Sequence, residues 1–368
     1  MLSHRAFLHN NILPVFLFDA TFNCIYYQRE DNLPGSAREK SVTCIYQVMQ
    51  EVRLAMKSFT VASRPPSYLS LTGKQWEEKL QRAKEMASPC MLCPRHCKAM
   101  RYQKSEGRPI LGVCKTADKA IVSSVGPHLG EEPPLVGTGG SGTIFFSYCN
   151  LKCIFCQNYE LAHLGEGREV SDEELGGMML QVQAMGCHNV NLVSPTHVVP
   201  NILAAVKLAA KQGLKIPLVY NTGGYDSLDT IRLLDGVVDI YMPDMKYGDS
   251  TSSEEFSLSA DYPEVNFAVV KEMHRQVGDL VMDRIGVAVR GLLVRHLVLP
   301  GGLAGTEKVL EYIAGEISRD TYVNIMAQYR PYYRATGHPV LGRRITAGEY
   351  RDSLNLASRM GLTRVQAL

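Results

Sequence analysis

GTIFFSYC (residues 142–149), SDEELGGMMLQVQAMG (171–186), NVNLVSP (189–195), NILAAVKLAAKQG (201–213), IPLVYNTGG (216–224), SLDTIRLLDG (227–236) and VDIYMPDMKY (238–247) alternate short apolar runs with helix-like segments. The apolar runs have strand length and the intervening segments have helical spacing. Ser171 with Glu174 three residues on is a capping-box pattern that marks where the first of these helices starts. The alternation continues past a longer, less regular helical region ending near Gly278. GLLVRHLVLPGG (291–302), the helix TEKVLEYIAGEIS (306–318), YVNIMAQY (322–329) and the helix TAGEYRDSLNLASRMG (346–361) follow. Six β/α units in series result. Their strands are continuous apolar runs, as expected of parallel strands covered by helices. The pattern implies an α/β protein, either a doubly wound sheet or a TIM-like barrel, complete or partial, and periodicity does not choose between them.

In such folds the chemistry sits at the C-terminal ends of the strands. Cys149 ends the first strand, and Ser194, Thr196 and His197 follow the second. Asn221 and Thr222 end the third, Asp244 and Lys246 the fourth, Arg295 and His296 lie within the fifth, and Gln328 ends the sixth. That convergence points to one site.

Ten cysteines are present, seven of them in two tight groups, Cys90/Cys93/Cys97/Cys114 and Cys149/Cys153/Cys156. In a chain of this length such grouping reads as metal binding in a reducing compartment, hence the cytoplasm. Cys24, Cys44 and Cys187 stand alone and read as ordinary thiols. The second group, CNLKCIFCQN (149–158), has the spacing C-x3-C-x2-C. Iron–sulfur cubanes are commonly held by four thiolates. Three ligands on one loop would leave one iron open, as a catalytic site requires; the alternative is a zinc-binding loop.

This motif, its place after a first β/α strand and the aromatic Phe155 before the last cysteine resemble the radical S-adenosylmethionine (SAM) superfamily. The resemblance implies a partial (β/α)6 TIM-like barrel preceded by a cysteine-rich extension. It also implies a 4Fe–4S cluster whose fourth iron binds the amino and carboxylate groups of SAM, and reductive cleavage of SAM to methionine and a 5′-deoxyadenosyl radical. GEEPPLVGTGGSGTIFFSYCNLKCIFCQNYE (130–160), NLVSPTHVVP (191–200), YMPDMKY (241–247), VRHLVLPG (294–301) and NIMAQYRP (324–331) are together similar to a poorly characterised branch related to pyruvate formate-lyase activating enzymes. By that likeness Phe155 packs near the adenine, and Asp244 and Lys246 form an Asp-x-Lys pair at the SAM pocket. Arg295 either contacts the SAM carboxylate or ribose or pairs with a neighbouring acid on the barrel wall. Asn221 and Gln328 complete the expected cofactor set. Activating enzymes carry Gly-Gly-Glu after the second strand, to receive the SAM amino group; here SPTH (194–197) stands instead. Ser194 and Thr196 could accept hydrogen bonds from the ammonium, and His197 could do so when neutral or could transfer a proton.

CMLCPRHC followed by GVC makes a closed four-thiolate set, suited to zinc or to a second iron–sulfur cluster, with His96 as a substitute ligand. Glu131 and Glu132 precede two prolines, and if that loop folds back Glu132 could act on the substrate. Gly139, Gly140 and Gly142 are not a phosphate loop, because neither a helix nor a Lys-Ser or Lys-Thr pair follows them.

Over 368 residues the net charge of +2 gives no reason to expect nucleic acid. No apolar run approaches the roughly 20 residues a membrane span needs. Residues 1–55 lack periodicity and read as a poorly ordered extension or a mis-started segment, followed by a cysteine-rich region (56–135) and the β/α domain (136–368). The function expected is SAM cleavage with hydrogen abstraction, served by a reductant such as flavodoxin or ferredoxin. The hydrogen donor is a protein that gains a glycyl radical, or else a small molecule or peptide. A non-catalytic iron–sulfur or zinc protein is the competing class.

Overall fold

The computed structural model describes residues 65–102 and 109–367, with the backbone of a few short strands outside them. The chain divides into two units, residues 1–58 and 59–368. Of the first, only Leu17–Phe18 paired antiparallel with Cys24–Ile25 is described. The expectation for residues 1–55 therefore lies outside the described residues, as do Cys44 and the side chain of Cys24.

The second unit runs α1 (Gly73–Ala87), β1 (Ala120–His128), β2 (Ser141–Phe146), β3 (Arg168–Val170), α2 (Asp172–Ala184), β4 (Val190–Val193) and α3 (Val199–Lys211). It continues through β5 (Leu218–Thr222), α4 (Leu228–Leu233), β6 (Ile240–Pro243), α5 (Ser250–Ser257) and α6 (Tyr262–Val277). It ends with β7 (Ala288–Leu297), α7 (Thr306–Tyr312), β8 (Tyr322–Met326), α8 (Ala347–Arg359) and β9 (Val365–Ala367). The six expected β/α strands are β2, β4, β5, β6, β7 and β8, in that spatial order and all parallel, with β9 added as a seventh. On the other side β1 pairs antiparallel with β2, and β3 with β1. The sheet path from β9 to β3 is open, so the barrel is partial.

Helix starts are written locally. Thr72 with Gln75, Ser171 with Glu174 and Thr346 with Glu349 all form reciprocal capping boxes; each such cap is worth about 1 kcal/mol. Along a strand, side chains alternate between faces. Leu192, Tyr220, Tyr241, Val294 and Val323 pack outward with the helices in the main core. Val219, Ile240, Met242 and Leu293 point the other way, into the barrel, where they meet Leu135, Leu280 and Ala288.

Leu135 belongs to a single helical turn, Pro133–Val136, in the β1–β2 connection, and is fully buried. Asn189 Nδ2 donates to its carbonyl (2.9 Å), and His188 Nε2 accepts from the backbone N–H groups of Thr138 (3.1 Å) and Gly139 (3.0 Å). This turn thus closes the N-terminal end of the barrel with apolar side chains. The opposite end, where the strands finish, carries the cysteine loop. No helix among the described residues is long and apolar enough to cross a membrane.

Candidate active site

The cysteine loop leaves β2 through Tyr148, held at φ 65°, a conformation that costs a non-glycine residue energy. Cys153 is buried, and Cys149 and Cys156 are half-buried. Burial pushes the Cys149 thiol up, and Cys153 adds to it; burial, with Cys153 and Cys149, pushes Cys156 up to about 12. The three thiols are thus close enough to oppose one another's ionisation. Ser257 Oγ donates to Cys153 Sγ (2.9 Å). Phe155 lies edge-on between Tyr329 and Tyr247, at 5.9 and 6.4 Å.

Beside this loop the strand ends form one ionic net. Asp244 Oδ2 accepts from Lys246 Nζ (2.5 Å) and Oδ1 from Arg295 Nε (2.8 Å). Arg295 Nη2 donates to Asn221 Oδ1 (2.7 Å), and its Nη1 lies 3.8 Å from Glu132 Oε1. Burial would raise the Asp244 pKa, but Arg295 and Lys246 outweigh it and hold the carboxyl below the usual range. Burial likewise pulls Lys246 down, yet Asp244 and then Cys153 leave it raised, which ties the net to the cysteine loop. Gly224, at φ 72°, keeps this strand end tight, since a Cβ there would meet Asn266 Nδ2 at 2.2 Å and the Asp244 carbonyl at 2.3 Å.

The net extends down into the barrel. Asn324 Nδ2 donates to Glu132 Oε1 (3.2 Å). Glu131 contacts Glu132 and Asn191; burial pushes its carboxyl up to about 7, Arg295 opposing and Glu132 assisting. Asn191 and Asn324 were not singled out from the sequence, whereas Glu131 was noted with Glu132 as a pair before two prolines. The available signal was an asparagine in the middle of an apolar strand, in NVNLVSP and again in YVNIM, where only a buried polar partner justifies it.

Other expected site residues lie elsewhere. Ser194 takes φ 59°, and its N–H donates to the Asn221 carbonyl (2.9 Å). That bend turns Thr196 to the hydroxyl of Thr222 (3.3 Å), which in turn donates to buried Asp226, away from the Asp244 net. His197 is 3% exposed and lies 2.9 Å from the Ser147 carbonyl. A carbonyl only accepts, so Nε2 carries the proton and Nδ1 is left without a partner. Burial lowers the His197 pKa to about 3, so the ring is neutral. Gln328 Nε2 donates to the Met326 sulfur (3.5 Å), apart from the net. His296 sits between the Met245 carbonyl (2.6 Å) and Thr306 Oγ1 (2.9 Å), a structural position.

The first cysteine group gathers at the same end. Burial raises Cys90, with Cys97 and Cys114 adding and Arg101 opposing; burial pushes Cys93 up to about 12, with Cys114 and Cys90 adding. Arg101 Nη2 lies 3.5 Å from Cys114 Sγ. A Cβ on Gly112 would meet Cys97 Sγ at 2.3 Å, so a larger residue there would push that sulfur aside. His96 is exposed.

The two groups are joined. Arg95, inside the first, donates from Nε to the Asn150 carbonyl (3.0 Å), from Nη2 to the Ser257 carbonyl (3.1 Å) and from Nη1 to the Leu258 carbonyl. The Asn150 side chain touches Cys93 on one side and accepts from Cys149 Sγ (3.8 Å) on the other. Seven non-glycine residues among those described have positive φ: His96, Lys98, Lys115, Tyr148, Ser194, Leu258 and Tyr333. All lie in or against the cysteine groups or at the adjoining strand end, where such strain commonly marks function.

No group of three or more His, Cys, Asp or Glu side chains among the described residues is arranged to hold a single metal ion. A cubane asks for something different, because each thiolate binds its own iron. Three neighbouring thiols, two already hydrogen-bonded at sulfur, beside a Lys and an Arg that balance anionic charge, fit such a cluster.

Comparison with known proteins agrees. The family model for the radical SAM superfamily matches residues 143–287. An uncharacterized protein of Methanocaldococcus jannaschii is 31% identical over 293 residues, which cover 77% of this chain and 78% of that protein. Among solved structures, native anSMEcpe with bound AdoMet gives a TM-score of 0.40 at 13% identity, over 58% of this chain and 57% of that one. A domain of pyruvate-formate lyase-activating enzyme from Bacteroides vulgatus gives 0.30 at 13% identity, over 53% and 91%. The hydrogenase maturase HydG from Carboxydothermus hydrogenoformans gives 0.42 at 13% identity, over 59% and 50%. This chain thus spans little more than half the length of the first of these structures. Sequence motif, parallel open barrel, family model and a relative aligned over most of both chains coincide, and the protein belongs to the radical SAM superfamily, enzymes that use a 4Fe–4S cluster and SAM.

Proposed function

We propose that this enzyme cleaves SAM reductively at a cluster held by Cys149, Cys153 and Cys156 and abstracts hydrogen from a substrate carbon. The observation that carries this reading is the junction of the cysteine loop with the Asp244–Lys246–Arg295 net at the strand ends. When bound, the reduced cluster supplies the electron that splits a C–S bond of SAM.

The chain's own groups then have separable tasks. Lys246 spends one of its three donors on Asp244 and keeps the others for an anionic or hydroxyl group of SAM. Asp244, ionised throughout the neutral range, offers further lone pairs to an ammonium or ribose hydroxyl. Arg295 is committed to Asp244, Asn221 and Glu132, so its role is to position Asp244. Phe155 contributes an aromatic face beside the cysteine loop. His197, neutral and buried against the Ser147 carbonyl, stands outside this set.

Cys90, Cys93, Cys97 and Cys114 would hold a second metal, an iron–sulfur cluster or zinc, and a cytoplasmic flavodoxin or ferredoxin would reduce the enzyme. The hydrogen donor is either a partner enzyme that gains a glycyl radical or a small molecule or peptide.

Anaerobically reconstituted, reduced protein should convert SAM to 5′-deoxyadenosine and methionine, and Cys153→Ala should abolish the conversion. An intact cluster that yields no 5′-deoxyadenosine would instead mark an electron carrier.

A further inference from the structure

We propose that the polar layer inside the barrel recognises a cationic nitrogen, an ammonium or guanidinium group, on the molecule this enzyme acts on. The inference rests on the radical SAM reading above and names the substrate class for that site.

The layer is one connected cluster on inward-facing positions. Asn191 contacts Glu131, Glu131 contacts Glu132, and Glu132 meets Asn324 (3.2 Å) and Arg295 (3.8 Å). Three of its atoms are buried without any hydrogen-bond partner: Glu132 Oε2, Asn191 Oδ1 and Asn324 Oδ1. Their residues are 6%, 0% and 3% exposed. All three are oxygens, and carboxylate and amide oxygens only accept. An acceptor left buried and unpaired is costly, so whatever fills the layer must bring donors.

Charge narrows the choice. The net contains two cations, Lys246 and Arg295, against three carboxyl groups, Asp244, Glu132 and Glu131, with the exposed His128 ring at its edge, Nδ1 3.5 Å from Glu131 Oε1. Both cations are already engaged. One negative charge remains when Glu131 is ionised, which favours N⁺–H donors over neutral hydroxyls. A backbone glycine brings one N–H and no charge, and would leave that excess in place.

Access is one-sided. Leu135, three residues beyond Glu132, seals the N-terminal end together with Val219, Ile240, Met242 and Leu293. A ligand therefore reaches the layer from the strand-end mouth that carries the cysteine loop. The cationic nitrogen could belong to a free amine or to a lysine or arginine side chain of a peptide.

The test uses the cluster-reconstituted protein under anaerobic conditions, before SAM is added, and saturation-transfer NMR with four probes. They are n-butylammonium, its neutral counterpart 1-butanol, a blocked Gly-Gly-Lys-Gly-Gly peptide and the all-glycine pentapeptide. Binding of n-butylammonium but not butanol supports the proposal. Tighter binding of the lysine peptide than of n-butylammonium assigns a peptide source, and the reverse a free amine. Glu132→Gln and the isosteric Glu131→Gln should each weaken ammonium binding roughly tenfold or more, the scale of one charge-assisted hydrogen bond. The proposal is overturned if butanol binds as well as n-butylammonium, if ammonium binding is absent, or if both substitutions leave it unchanged. It is also overturned if a crystal structure with n-butylammonium shows only ordered water on the three oxygens. SAM cleavage in the same sample separates the two claims. Cleavage without ammonium binding sinks this inference alone, whereas an intact cluster without cleavage sinks the radical SAM reading.

Discussion

Asp244→Asn removes the one anion that two buried cations share. Asp244 is 13% exposed, Lys246 and Arg295 18% each, at 2.5 and 2.8 Å from its two oxygens. The asparagine amide can still accept one of these bonds, but its NH2 group must face the other cation. Removing one partner of such a buried pair typically costs about 3–5 kcal/mol, mostly because a charge is left uncompensated. At roughly 2 °C per kcal/mol for a chain of this size, the melting temperature should fall by roughly 6–10 °C.

The sign with pH follows from the direction of the shift. The Asp244 pKa is depressed on folding, so its contribution is complete above the unfolded value of about 3.9 and lost only as pH falls through the folded value below it. The deficit of Asp244→Asn should therefore be equal at pH 6 and pH 8. Urea unfolding of the metal-free protein, followed by circular dichroism, measures it. Asp244→Asn/Lys246→Met, which also removes an unpaired cation, should recover at least half of the loss. A single variant within about 1 kcal/mol of wild type, or a double variant no better than the single one, would refute the argument.

Glu131 behaves in the opposite sense. Its folded carboxyl, at about 7, holds a proton more tightly than the unfolded one at roughly 4.3, so stability should fall by at most about 4 kcal/mol as pH rises through that window. Glu131→Gln should flatten that descent in urea midpoints measured from pH 4.5 to 8; an unchanged slope would place the proton elsewhere. Arg95→Ala deletes three charged donations onto residues 150, 257 and 258. Amide exchange in residues 149–156 should accelerate roughly tenfold or more while β4–β6 stay protected, and a uniform increase would contradict a local lock. Gly112→Ala drives a methyl group against Cys97 Sγ and should lower metal content at the first cysteine group without affecting Cys149, Cys153 and Cys156, as chemical analysis of iron, sulfide and zinc would show.

The parallel order of β2, β4, β5, β6, β7 and β8 was legible because each strand is an uninterrupted apolar run between capped helices. The cysteine loop was legible because its ligands are neighbours in sequence. The polar layer was not, because Asn191, Glu131 and Asn324 are far apart along the chain, and only the curvature of the sheet shows which alternate positions face inward. β1 is legible as a β-like run, KAIVSSVG, but its antiparallel pairing with β2 across a Gly/Pro-rich connection is not. SPTH illustrates a further limit. Strand-end polar residues suggested a single mouth-facing set, but the left-handed bend at Ser194 sends Thr196 toward the helix layer and buries His197 under Ser147. A backbone dihedral of that kind has no signature in residue type, since serine is not the residue expected there.

The turn carrying Leu135 has one more consequence. A vessel stoppered at its base fills and empties through the same neck. If the nucleotide lodges at Lys246 as proposed, whatever settles below it against Glu132 and Asn324 would arrive first and depart only after the fragments of that nucleotide. Turnover should accordingly show compulsory order, with the deeper guest first in and last out.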